Sequence, residues 1–147
     1  MKKKIFLTAL CLPLFFAACS SEPMEIVTGK DFMQNRSVVV DTASVFRSSD
    51  SFVMQFRYGK KFDFGNIKWE VISDNGKRIA SKKSGVSPKE GSYTILVSSA
   101  RHGGIASATE FFKAKEGSFN IRFYNADADT LLLEKKIQIV RNSEKLQ

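Results

Sequence analysis

The chain has 147 residues, 43% of them hydrophobic and 26% charged, with 13 Phe, two Cys, one His and a formal net charge of +8. That length suits one domain with a sizeable core. The composition excludes a disordered chain and a disulfide-stapled miniprotein, and a single His argues against most zinc sites and His-based catalysis.

Met1-Lys2-Lys3-Lys4 is a basic start, and Ile5 to Phe16 is a nearly unbroken apolar run. As a helix the run spans about 18 Å, short of a bilayer core of about 30 Å. A charged start, a short apolar middle and small residues after it describe an export signal. The small residues end in Phe16-Ala17-Ala18-Cys19, which resembles the lipobox of bacterial lipoproteins. The resemblance implies cleavage between Ala18 and Cys19 and a diacylglyceryl group on the Cys19 thiol, usually with a further acyl chain such as palmitate on the new amine. Ser20, in place of the Asp that commonly marks inner-membrane retention, implies the outer membrane. The plainer alternative is an ordinary secretory signal cut after Ala18.

Residues 1–18 carry three lysines and no acid, so the remainder falls from +8 to about +5. On this reading Cys11 leaves with the signal and Cys19 carries lipid, so core packing alone must stabilise the fold. The expected layout is a signal over 1–18, a lipidated tether over 19–23, a folded domain over 24–142 and a polar tail over 143–147.

Met24 to Thr28 reads as a first strand, because Ile26 and Val27 are costly to leave in water. From Ser37 the dominant period is two: Val38 to Val40, then Phe52, Met54, Phe56 and Tyr58 on one face with Gln55 and Arg57 on the other. Ile67, Trp69 and Val71 alternate with Lys68 and Glu70; Tyr93, Ile95 and Val97, then Phe119, Ile121 and Phe123, follow suit. Leu131, Leu133, Ile137 and Ile139 share one parity, interrupted by Lys135. Such alternation predicts antiparallel strands with one face on a core. Ala106 to Lys115 is the only candidate for a short helix.

Asn75-Gly76 between two strand-like runs predicts a two-residue type I′ hairpin. Trp69 then faces Lys82 and Val71 faces Ala80, with the Lys82 stem over the indole and Lys82-Lys83 guarding a sheet edge. Lys89-Glu90-Gly91-Ser92-Tyr93-Thr94-Ile95 recurs 26 residues later as Lys115-Glu116-Gly117-Ser118-Phe119-Asn120-Ile121. The echo predicts two strands entered by equivalent turns at one end of a sandwich. This entry pattern, over about seven or eight short strands, resembles immunoglobulin-like and fibronectin-like modules. The implied fold is all-β: a single antiparallel β-sandwich with at most one short helix.

Chemistry is sparse. His102, in a Gly-rich connection after Ser98-Ser99, lacks a Gly-x-Ser-x-Gly elbow. Asn125, Asp127 and Asp129 place oxygens at alternate positions, a weak calcium pattern that lacks the Gly and Glu of a full loop. A hairpin turn explains it better. Asp63, Glu70, Glu110 and Glu134 read as solvent-facing carboxylates with no reason to pair. The stretch Tyr58, Lys60, Lys61, Phe62 and Phe64, bounded by Gly59 and Gly65, is the candidate binding loop; its alternative is an aromatic cap on the core. The expectation is a lipid-anchored, non-enzymatic envelope module that binds or assembles with a protein, glycan or anionic partner. No cofactor, resident metal or nucleic acid is expected. A small hydrolase or glycan-modifying enzyme and a purely structural envelope component are the rivals.

Overall fold

The structure is a computed structural model that describes residues 21–99 and 103–143; residues 1–18, expected to be an export signal, as well as Cys19 and His102 lie outside the described residues. Two sheets pack face to face. The first has the order β2-β1-β4-β7 and the second β3-β9-β8-β5-β6. Their strands are β1 (Glu25–Met33), β2 (Val38–Thr42), β3 (Val45–Arg47), β4 (Val53–Arg57), β5 (Asn66–Ser73), β6 (Arg78–Gly85), β7 (Ser92–Ile95), β8 (Gly117–Asn125) and β9 (Thr130–Val140). The chain crosses between sheets after β2, β3, β4, β6 and β7. The expected sandwich is there, with nine strands and one departure. β3 pairs parallel to β9, Phe46 opposite Ile139, because the long β2–β3–β4 excursion brings β3 to the free edge of the last strand.

Period-two patterning sets the core. Phe46, Phe52, Phe56, Phe112 and Phe123 are all less than 2% exposed. The ring of Phe56 on β4 stacks on that of Phe123 on β8 at 4.9 Å, joining the sheets at their centre. A short α-helix, α1 (Ala108–Phe112), lies in the β7–β8 connection. Ser107 and Glu110 close a reciprocal capping box at its start, which satisfies otherwise orphaned N–H groups. Phe111 and Phe112 of α1 then pack on Phe52 at 4.7 Å.

β4 is buried on both faces, beyond what its alternation predicts. On its outer face Val53 meets Val27, Val39 and Phe32 of the β1–β2 hairpin. Gly29 permits this: a Cβ there would lie 2.6 Å from the Val40 carbonyl oxygen and from the Val39 side chain. Gln55, also buried, donates to the Ser37 carbonyl and the Thr94 hydroxyl, both at 2.8 Å.

Local geometry corrects three expectations. The β5–β6 turn is not type I′. Gly76 alone has positive φ, +79°, and Gly76 N–H donates to Ser73, giving a three-residue loop with a glycine bulge. A register shift between Val71 and Ile72 compensates, so Trp69 still faces Lys82 and Val71 still faces Ala80. The indole instead stacks on Phe111 at 6.0 Å. The two echoed glycines enter strands at opposite ends of the sandwich, because β7 and β8 run in opposite directions. Gly117 is required for its φ of +134°, Gly91 because a Cβ would lie 2.7 Å from the Lys60 carbonyl oxygen.

Candidate functional site

The β4–β5 loop, residues 58–65, closes one end of the sandwich. Tyr58 stacks on Phe62 at 5.6 Å, and Phe64 stands edge-on to both at 5.3 Å. Phe62 is only 3% exposed and Phe64 is half-buried, so the two phenylalanines cap the core. The Tyr58 hydroxyl donates to Asp63 at 2.8 Å and the Lys60 ammonium donates to its other oxygen at 2.6 Å. Lys60 and Tyr58 hold the Asp63 carboxyl below its usual range. Burial first, then the hydrogen bond to Asp63, raises the Tyr58 phenol. The loop is therefore rigid, and Lys61 is its exposed cation without an ion pair among the described residues.

The start of the described chain is fastened to this loop. Glu22 N–H donates to the Gly59 carbonyl at 3.1 Å. Gly59 has φ of +80°, and a Cβ there would sit 1.8 Å from the Glu22 carbonyl oxygen. Only glycine lets the entering segment lie this close. Beside it, Glu22, Arg57, Lys60, Lys61 and Lys89 line a hollow of about 450 Å³. Sequence reasoning selected Lys60 and Lys61 and set Arg57 on the outward face of its strand, but missed Glu22 and Lys89. Lys89 belongs to the β6–β7 connection and arrives through Phe62 N–H donating to Glu90 at 2.8 Å. No local pattern signals that meeting; the nearest hint is Gly91 after Lys89-Glu90.

Asn125, Asp127 and Asp129 fall in the β8–β9 turn at the same end. Asp127 accepts from Gly65 N–H at 2.7 Å, Asn66 N–H at 3.1 Å and the Asn66 amide at 2.7 Å. These bonds, the Asn66 side chain first, hold its carboxyl below the usual range. Asn125 accepts from the backbone of Asp127 and Ala128, and Asp129 lies 3.5 Å from Lys68. All three side chains are engaged with protein groups, and no cluster suited to a metal ion occurs among the described residues.

The four carboxylates have separate partners. Glu70 departs from expectation: it is 5% exposed, covered on the outer face of the second sheet. Arg78 at 3.2 Å, Lys68 at 3.7 Å and the Tyr124 hydroxyl at 3.2 Å neutralise and bond it. Glu134 pairs with Arg122 next along that face. Glu110 serves the α1 cap and accepts from the Ser99 hydroxyl at 3.2 Å.

At the opposite end a second hollow, about 540 Å³, is lined by Ser48, Ser49, Thr109, Lys115, Arg141 and Asn142. Asn142 Oδ1 accepts from both serine hydroxyls, at 2.9 and 3.1 Å, and Arg141 pairs with Glu116 at 2.6 Å. No described helix is long and apolar enough to cross a membrane. No protein-family model matches the chain, and no curated protein matches it.

Proposed function

We propose that the chain is a lipid-anchored bacterial envelope protein, held through Cys19 in the outer membrane, whose sandwich is a binding or assembly module rather than an enzyme. The observation that carries the anchor is Phe16-Ala17-Ala18-Cys19 behind a basic start and a short apolar run; the hydrogen bond from Glu22 N–H to the Gly59 carbonyl, 3.1 Å long, supports the orientation of the domain on it. Three Cα steps separate Cys19 from Glu22, a reach of at most about 11 Å. An anchor at Cys19 therefore keeps the Tyr58–Gly65 loop close to the headgroups and turns the Ser48–Asn142 hollow outward. Acyl chains contribute about 0.8 kcal/mol per buried CH₂, and more than one chain gives durable anchoring. The outward end, rich in hydroxyl and cationic groups, suits an envelope protein or glycan partner.

Radiolabelled palmitate is expected to enter the wild type and not Cys19→Ser; equal labelling would sink the anchor. Crosslinking in intact cells from a photoreactive residue at Thr109 is expected to capture one reproducible envelope partner. Recovery of abundant bystanders alone would overturn the assembly role.

A further inference from the structure

The hollow beside the tether joins three separated segments: the entering chain at Glu22, the end of β4 with its following loop at Arg57, Lys60 and Lys61, and the β6–β7 connection at Lys89. Four cations and one carboxylate line it. Arg57 lies 3.4 Å from Glu25, and Lys60 lies 2.6 Å from Asp63. Lys61 and Lys89 are exposed and have no ion pair among the described residues. Two ammonium groups are thus free to take an external anion, with two more cations already fixed beside them. A phosphate gains from such an array because several donors converge on its oxygens.

Position decides which phosphate. A neighbouring hollow is lined by Ser21, Pro23, Tyr58 and Lys60, so the tether itself borders the cationic surface. Cys19 lies only two residues before Ser21. The opposite hollow combines hydroxyl groups with Lys115 and Arg141, and Arg141 is paired with Glu116. The entering chain is bonded at this end instead, Glu22 N–H to the Gly59 carbonyl, so this hollow is the one that borders the tether.

We infer that the Arg57–Lys60–Lys61–Lys89 hollow seats the phosphate of an anionic phospholipid headgroup in the membrane that holds Cys19. The inference rests on the lipid-anchor reading. It adds that the domain is docked on the bilayer and does not merely hang beside it. Attraction of this kind falls off within a Debye length, so it requires the short tether and weakens in salt.

The test uses the mature protein in nanodiscs of phosphatidylcholine alone or with about one-third phosphatidylglycerol, with lysine acetylation rates read by mass spectrometry. Lys60, Lys61 and Lys89 are expected to react about five-fold more slowly in the anionic discs, the effect of one cation at an anionic surface. High salt should restore their rates, while Lys77, Lys113 and Lys115 at the other end stay unchanged. Equal rates at Lys61 and Lys89 in both discs would overturn docking, as would uniform protection of both ends. In the double variant Lys61→Glu/Lys89→Glu, with its circular dichroism unchanged, protection of Lys60 should disappear; persistence of that protection overturns the site. Intact mass separately reads acylation of Cys19. If that mass lacks lipid, the anchor fails, and adding the free Cys19 thiol to a maleimide-headgroup lipid in the same discs restores the short tether, so that the footprint still decides the hollow.

Discussion

The ammonium of Lys135 donates to the backbone carbonyl of Ile26 at 3.0 Å, tying β9 of one sheet to β1 of the other. Lys135 faces inward with Ile121, its partner on β8, at the one place where the apolar parity of β9 breaks. β2 begins pairing with β1 only from Gly29 onward. Ile26 therefore sits on an open edge, and Lys135 supplies a donor there. Burial lowers the Lys135 pKa, with Glu25 opposing. The unfolded chain thus holds more protons just below 10.5, and this group's contribution to stability rises with pH through that window. Tyr58 and Lys60 titrate nearby with raised values, so the difference from Lys135→Met isolates the effect. Between about pH 9 and 11, wild type should gain on Lys135→Met in urea midpoint. A constant difference would refute it.

Among the described residues, Trp69 carries the one buried side-chain nitrogen left without a hydrogen-bond partner. An unbonded buried N–H costs about 1–3 kcal/mol. Trp69→Phe removes that cost while keeping a ring on Phe111, and should lie within about 1 kcal/mol of wild type. Trp69→Ala should lose about 3–5 kcal/mol. Comparable losses for both in denaturant titrations would show that the indole nitrogen is satisfied in solution.

Gly59 and Gly76 share a positive φ, +80° and +79°, but only Gly59 faces a backbone that a Cβ would strike. Gly76→Ala should cost about 1–2 kcal/mol, the price of a left-handed alanine. Gly59→Ala should cost more and release the tether, exposing the Glu22–Met24 segment to protease. Equal stability and unchanged proteolysis would contradict the pinned tether.

Asp127 bridges two turns through Gly65 and Asn66. Its depressed pKa means that its support is present above the unfolded value near 3.9 and is lost as pH falls through the folded value. Amide exchange at Gly65 and Asn66, corrected for intrinsic rates, should accelerate below about pH 4. Asp127→Asn should show that faster exchange already at neutral pH. An Asp127→Asn profile that matches wild type would remove the carboxylate from this role.

The inward faces of β4, β5 and β8 were legible because a two-residue period reports burial on one side directly. The Trp69–Lys82 register was legible too, although the turn beneath it was misread, because the bulge at Val71–Ile72 offsets the longer loop. What stayed hidden depends on remote chain. Nothing near Val45–Arg47 indicates a parallel partner in β9. Gly29, Gly59 and Gly91 are dictated by strands distant in sequence. Glu70 looked solvent-facing because Arg78 and Tyr124 reach it from neighbouring strands. Lys89 joined the cationic hollow only once the β6–β7 connection folded beside Lys60.

β1 enters at one end of the sandwich, running antiparallel to both β2 and β4. The last strand finishes at the other end, in the other sheet. Tension between a held amino terminus and a load at Asn142 would therefore pull β1 along its own length. Ladder bonds lie across the strand, so such a load strains them together in shear instead of opening them one at a time. Lys135 adds a cross-sheet tie near the point of pulling. The geometry gives the domain mechanical resistance along the axis between its chain ends and leaves β1 easier to peel from the side.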